Sequence, residues 1–313
     1  MFQMETSPKG GRADLKDDEI ARWGRSRNEG YRKFRHGFVQ PAPMFFTQDH
    51  HPLQICDMYR GRSAFLICGG PSFSNIDRNV LASPGLLTMG VNNSPRTFRP
   101  NLWCSVDTPD HWIRSIWLDP GITKFVPICH AAKKIFNSDR WTYMDQRVGD
   151  CPNVVYYKRN EHFRAKQFLW EDTMNWGNHK DYGGGRSIML VAIRILFLLG
   201  VRRVYLLGCD FMMNADSTYH FDQDRAKGAI KGNNETYQKL NGWFTELRPL
   251  FEQEGFEVFN CNEQSGLRSF KFITFADAFA EAFGHMDNVD LDNERTRGLY
   301  DTKSEDKEKG IGK

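Results

Sequence analysis

The sequence predicts an α/β protein built on a mostly parallel, doubly wound sheet with helices on both faces, and three observations carry that reading. Apolar runs of strand length recur through the middle of the chain, and several end in Gly, Asn or Asp. Their apolar residues are continuous instead of alternating, the pattern of strands covered on both faces. Helix-period segments separate some of them, as parallel crossovers require.

The runs are Ser63 to Cys68, Leu86 to Val91, Leu102 to Val106, Lys124 to Cys129, Val154 to Tyr157, Val204 to Leu207 and Phe256 to Asn260. A helix over Ser187 to Leu199, stopped by Gly200 and followed by the strand at Val204, is the αβ half of a crossover. A second helix is expected from about Thr236 to Glu254, because Tyr237, Leu240, Phe244, Leu247 and Phe251 repeat at three- and four-residue spacing. Pro249 inside it predicts a kink or an early break. The segment Lys231 to Tyr237 reads as a polar loop, with Asn234 or Thr236 as the helix cap and the loop placed to meet an acceptor.

Outside this middle the composition changes. Residues 1–60 read as an irregular arm in which Arg22, Arg25, Arg27, Arg32, Lys33 and Arg35 interleave with Trp23, Tyr31 and Phe34. That mixture suits phosphate contact with base stacking, and equally a solvated arm packing its rings on the core. Residues 285–313 are charged and poor in large apolar residues, so a disordered tail is expected after a domain spanning 61–284.

Composition excludes several classes. In 313 residues, 42 Lys and Arg stand against 39 Asp and Glu, so overall charge announces no nucleic-acid or membrane partner. The seven cysteines form no C-x-x-C pair and sit mostly in apolar runs, which suits buried thiols in a reducing compartment. The N-terminus has no apolar core of signal-peptide length, and Ile188 to Leu199, interrupted by Arg194, is too short to span a bilayer. A cytoplasmic protein with no membrane partner is the expectation, and the pattern sets no oligomeric state.

Ligands of such sheets bind beyond the carboxyl ends of the strands. The first strand is followed by Gly69, Gly70, Pro71 and Ser72, a turn whose backbone can approach a ligand and whose hydroxyl can meet phosphate, or which is simply a turn. Asn92 and Asn93 follow the second strand and Asp107 the third, where such residues serve either turns or sites. Gly183, Gly184, Gly185, Arg186 and Ser187 place a cation and a hydroxyl at a positive helix end. Neither glycine cluster has Walker A or G-x-G-x-x-G spacing, which disfavours a standard ATPase or dinucleotide dehydrogenase.

A strand running into Gly208-Cys209-Asp210-Phe211, followed by Tyr219-His220-Phe221-Asp222, resembles glycosyltransferase family 42, the bacterial sialyltransferases. The opening Gly69-Gly70-Pro71-Ser72 through Ile76-Asp77 is similar to that family's nucleotide-binding turn. The resemblance covers about Ala64 to Ser265, and its wider clan includes Maf-type transferases, pterin pyrophosphokinases and proteins carried by bacteriophages. It implies a Rossmann-like, variant GT-A sheet and a nucleotide-sugar donor, with the sugar passed to a hydroxyl acceptor. Gly69, Gly70 and Ser72 would line the donor phosphates, Asn92 would touch the nucleotide, Ser187 would fall near the family's hydroxyl contacts, and Tyr219 would stabilise the leaving phosphate without a metal.

Two positions depart from the family. Met212 stands where a second phosphate tyrosine is expected, and no histidine occurs near Tyr237 and Gln238, where the base should lie. His220 is the first candidate to replace that base, ahead of Asp210, Asp222 and Asp107. Asp222-Gln223-Asp224 resembles a metal-binding D-x-D, but it follows a polar loop and reads better as a helix-start pair, so no metal or covalently bound cofactor is expected. For a chain of viral origin, which the resemblance allows, a hydroxylated base in DNA is the acceptor we expect. The alternatives are an ATP-dependent pyrophosphokinase and a catalytically inactive nucleotide- or DNA-binding module.

Overall fold

The computed structural model of the chain describes residues 43–137, 140–178, 184–214, 219–221, 223 and 228–287. The basic aromatic segment Arg22 to His36, Gly183, Asp222, Asp224 and most of the charged tail lie outside them.

In chain order the elements are β1 (Ser63–Ile67), α1 (Arg78–Leu81), β2 (Leu87–Val91), β3 (Leu102–Cys104), α2 (Arg114–Leu118), β4 (Thr123–Pro127), β5 (Lys134–Asn137), β6 (Thr142–Arg147), β7 (Val154–Tyr157), β8 (Arg159–Asn160) and β9 (Met174–Asn175). There follow α3 (Ile188–Leu198), β10 (Arg203–Leu207), α4 (Ala229–Gln253), β11 (Glu257–Asn260), β12 (Lys271–Phe272) and α5 (Phe275–Asp287). Among the described residues the main sheet has eight strands in the order β12-β11-β10-β1-β2-β3-β4-β7. Every pairing in it is parallel. All seven apolar runs supply strands of this sheet, and the doubly wound α/β class is what the chain adopts.

The continuity of the apolar runs has its explanation in the two faces. From β1 and the residue after it, Ala64, Leu66 and Cys68 enter a core shared with α3 and α4, whereas Phe65 and Ile67 join Phe73, Leu81 and the Ala278 and Ala282 face of α5. A third cluster, around Trp103, Trp112 and Trp117, seats α2. Each strand residue therefore has an apolar neighbour whichever way it points.

Helix α3 begins and ends as its sequence predicts. The Ser187 hydroxyl accepts from the Met189 amide, and Gly200 adopts φ +92° just beyond the last turn. Arg194, the one charge in this apolar helix, is buried, and its guanidinium donates to the carbonyls of Phe168 and Glu171. It thereby ties α3 to the segment that carries β8 and β9.

Two expectations are corrected. Helix α4 starts at Ala229, seven residues before the expected start at Thr236, so Lys231 to Tyr237 is helix instead of loop and neither Asn234 nor Thr236 caps it. Of the two outcomes expected of Pro249, the early break does not occur, because the helix continues to Gln253. Pro249 lies on the exposed side near the terminus, where water can replace the missing bond, while Leu247 and Phe251 stay buried. Within the segment 1–60, Phe45 is buried in the main core and Phe46 forms an isolated antiparallel bridge to Tyr156 of β7.

Replacing Arg194 by Met keeps the apolar stem and removes the guanidinium that satisfies two buried carbonyls. Arg194→Met is expected to lower stability by about 2–4 kcal/mol. Equilibrium urea denaturation checks this, and an unchanged midpoint would mean that water satisfies those carbonyls.

Candidate functional site

The chain leaves β1 toward β2, β3, β4 and β7 on one side, and β10 later returns beside β1 to continue toward β11 and β12 on the other. The crevice of such a sheet opens where the winding reverses, between the carboxyl ends of β1 and β10. A cleft of about 740 Å³ lies there. Its floor comes from Gly69, Gly70, Asn92, Asn93, Asp107 and the segment Gly208 to Met213, and its walls from Trp112, Trp176, Arg186, Ser187, Tyr219 and Tyr237.

One carboxylate organises this edge. Asp210 Oδ2 accepts from the Ser72 hydroxyl at 2.9 Å and from the Ser72 amide at 3.3 Å, and Oδ1 accepts from Asn262 Nδ2 at 3.0 Å. The loops after β1, β10 and β11 thus meet on a single side chain. Burial pushes the Asp210 carboxyl above its ordinary range, against the opposing pull of the Ser72 bonds.

Gly70 is required by this junction. Its amide donates to the Gly208 carbonyl at 2.8 Å, and a Cβ there would lie 1.9 Å from Asp210 Oδ2 and 2.6 Å from the Gly208 oxygen. The glycine makes room for the chain's own carboxylate, which is a stricter reason than the approach of a phosphate. Ser72 is corrected in the same sense: it does not line the cleft, and its hydroxyl is committed to Asp210.

His220 is also corrected. Its Nε2–H donates to the Cys68 carbonyl at 2.8 Å, and its Nδ1 accepts from the Thr97 hydroxyl at 2.7 Å, so both nitrogens are engaged away from the cleft. The ring packs 4.6 Å from that of Phe73. Burial, reinforced by Arg78, lowers its pKa to about 4 despite the Cys68 bond. His220 pins the strap that carries Tyr219 and Phe221 over the Gly69 turn, where a Gly69 Cβ would come within 3.3 Å of the Tyr219 ring.

Asn234 stands in the first turns of α4, outside the cleft lining, and its amide exchanges two bonds of 2.9 Å with the backbone of Met213. It positions the Met212 and Met213 wall and does not face an acceptor. The remaining candidates do line the cleft. Asn92 adopts φ +53° and gives its carbonyl to the Trp103 indole, and Asn93 donates to the His111 carbonyl and to Gln223 Oε1. Asp107 is exposed at the rim. Arg186 stacks 4.6 Å over Trp176 and pairs with Glu161 at 3.6 Å, and Ser187 beside it keeps a hydroxyl proton to donate after capping α3.

Sequence reasoning missed four contributors: Tyr237, Trp112, Trp176 and Arg96, all on the cleft wall. Tyr237 was absorbed into the apolar face of α4, yet it stacks on Phe211 at 4.7 Å and also lines the cleft. Burial, then the proximity of Tyr219 and of Asp210, pushes its phenol well up, so it stays protonated. Four buried polar atoms of cleft-lining residues have no hydrogen-bond partner: Asn92 Oδ1, Asn93 Oδ1, Trp112 Nε1 and Trp176 Nε1. Among the described residues, no group of three or more His, Cys, Asp or Glu side chains is placed to hold a metal ion, and no helix is long and apolar enough to cross a membrane.

Fold and site together define a doubly wound α/β protein with a polar cleft at its switch point. No family model matches the chain, and no curated protein matches it significantly. Solved structures that it resembles include a Maf glycosyltransferase from Magnetospirillum magneticum AMB-1, with a TM-score of 0.37 and 12% identity over 87% of this chain. The chain spans 42% of the length of that protein. Another is the sialyltransferase CstII from Campylobacter jejuni, solved with a substrate analogue, with a TM-score of 0.36 and 13% identity over 69% of this chain and 86% of the other. Likenesses of this extent assign no activity.

Two predictions test the junction. Gly70→Ala should destabilise the fold by about 1–3 kcal/mol through overpacking against Asp210, measured by thermal or urea unfolding, and wild-type stability would mean that the carboxylate moves aside freely. For His220, a folded pKa below the ordinary 6.5 means that the unfolded chain binds the proton more readily. Its contribution is complete above about pH 6.5 and falls away toward pH 4. Wild type should therefore lose melting temperature over that interval more steeply than His220→Gln, and parallel curves would remove His220 as the titrating clamp.

Proposed function

We propose that the cleft binds a nucleotide-activated sugar and transfers the glycosyl group to a hydroxyl acceptor. The observation that carries this reading is the polar lining of the cleft at the switch point of the sheet, where Asn92, Asn93, Arg186, Ser187, Tyr219 and Tyr237 come together. A volume of about 740 Å³ suits a ligand of nucleotide-sugar size. Asn92 and Asn93 supply acceptors for base or ribose, while Arg186 and Ser187 supply charge and a hydroxyl for phosphate.

In the transfer, the bond from the anomeric carbon to the donor phosphate oxygen breaks, and the acceptor oxygen forms the new bond as it loses its proton. Negative charge then develops on the phosphate. The phenols of Tyr219 and Tyr237 line the same wall and can donate to it, and a phenol that stays protonated supplies this stabilisation throughout the reaction. With His220 committed elsewhere, Asp107 at the rim is the base in this proposal, having a carboxylate that meets both solvent and cleft.

The test is transfer from a panel of nucleotide sugars, with binding followed by calorimetry. Tyr219→Phe and Tyr237→Phe should each lower turnover by about 10²-fold or more, and Asp107→Asn by roughly 10²- to 10⁴-fold, with donor affinity little changed. Turnover should persist in a chelator. A reaction that stops there and consumes ATP would replace this reading by diphosphoryl transfer, and tight nucleotide binding without any turnover would leave a binding module.

A further inference from the structure

Strands β5 and β6 form a two-stranded antiparallel hairpin apart from the main sheet. Its inner side sets Ile135 and Met144 against the tryptophan cluster. Its outer side carries Phe136 opposite Tyr143 and Lys134 opposite Arg147. Trp141, at the start of the second strand, leans on Phe136 with ring centroids 5.4 Å apart and planes at 81°, and Tyr143 meets Phe136 at 5.3 Å and 70°. Such aromatic clusters are ordinarily buried, but here Trp141 is 83% exposed and Tyr143 is 56% exposed. Trp141 is also held at φ +49°, a left-handed backbone that a bulky residue rarely adopts. A strained backbone that presents an open indole to solvent is hard to account for by packing.

The charges around the rings indicate what would cover them. Residues 133–147 contain Lys133, Lys134, Arg140 and Arg147 against Asp139 and Asp145. Asp145 is neutralised by Lys134 at 3.0 Å, and Lys133, Arg140 and Arg147 are exposed. A second copy presenting the same basic face would be repelled. A neutral sugar would use the rings and leave the cations idle. Rings interleaved with cations fit a single-stranded nucleic acid, whose bases stack and whose phosphates pair.

The hairpin is also connected to the cleft. Tyr143 donates its phenolic proton to Asp110 Oδ2 at 3.3 Å, and the next residue, His111, lines the cleft. We propose that the outer face of this hairpin is a stacking platform for single-stranded nucleic acid, and that it presents a hydroxyl-bearing nucleotide to the cleft as acceptor. The acceptor role rests on the glycosyl-transfer reading, whereas strand binding does not.

The experiment measures binding of a labelled single-stranded oligonucleotide to the full chain by fluorescence anisotropy, without donor, across a salt series. Trp141→Asn removes the ring and suits the left-handed backbone, so the fold should survive, as circular dichroism checks. It should weaken binding about 10-fold, the scale of losing one stacked base. Replacing Lys133 and Arg140 together by Gln should lower the slope of log affinity against log salt by about 1.4. Affinity unchanged in Trp141→Asn, no binding by wild type, or preferential binding of a neutral oligosaccharide would each overturn the platform. If a hydroxylated oligonucleotide binds through Trp141 but accepts sugar from no donor, the transfer reading fails and the platform stands. If small hydroxyl acceptors are glycosylated while strand binding ignores Trp141, the reverse holds.

Discussion

The cleft depends on the Asp210 carboxylate. Three loops leave the sheet after β1, β10 and β11, and backbone bonds between them run from Gly70 to Gly208 and from Gly266 to Asp210. Asp210 joins them by taking two donors from Ser72 and one from Asn262. The arrangement works only because position 70 has no side chain, since any Cβ would displace the carboxylate that closes the junction. Burial raises the cost of ionising Asp210, and the two Ser72 bonds offset only part of it.

A second tie runs across the cleft. The strap at Tyr219 to Phe221 has no regular secondary structure and is held by His220 on Cys68 and Thr97, by its own amide on Gly69, and farther along by Gln223 on Asn93. The phenol of Tyr219 therefore owes its place to a histidine facing the other way. Asn234 does the same for Met213 on the opposite side. Polar side chains in this region divide into those that hold loops and those that face the cavity. Asn93 takes part in both, since its Nδ2 holds His111 and Gln223 while the residue lines the cleft.

That division explains what could be read from sequence. The parallel strands and α3 were legible because an apolar run buried on both faces, or a run with a Ser cap and a Gly stop, admits few other structures. The start of α4 was not, because Ala229 to Glu235 has no apolar period and is held by tertiary bonds such as Asn234 to Met213. Helix α5 did carry a signal that was passed over: Phe275, Phe279 and Phe283 at four-residue spacing, with Thr274 and Asp277 bonding reciprocally at its start. The β5–β6 hairpin was hidden by its turn, which places Trp141 where Gly or Asn would have announced it. In the site, sequence identified which strand ends matter. It could not say which way each side chain points, so His220, Ser72 and Asn234 were read as chemical groups although their valences are spent on the fold. Tyr237 was read as core although one edge faces the cleft.

The same reasoning constrains the base in the transfer we propose. A general base needs a lone pair free to meet the acceptor proton and a conjugate acid that the site tolerates. His220 fails the first condition, because the Cys68 carbonyl fixes its tautomer and the Thr97 hydroxyl takes the remaining lone pair. Asp210 fails in a different way: its raised pKa would suit proton transfer, but withdrawing an oxygen from Ser72 or Asn262 would loosen the three-loop junction during each turnover. Asp107 lies at the end of β3 on the exposed rim, where taking up a proton disturbs no structural bond seen among the described residues. In that proposal rigidity and chemistry fall to different carboxylates, Asp210 locked between loops beyond β10 and Asp107 open to solvent beyond β3, with β1 and β2 between them in the same sheet.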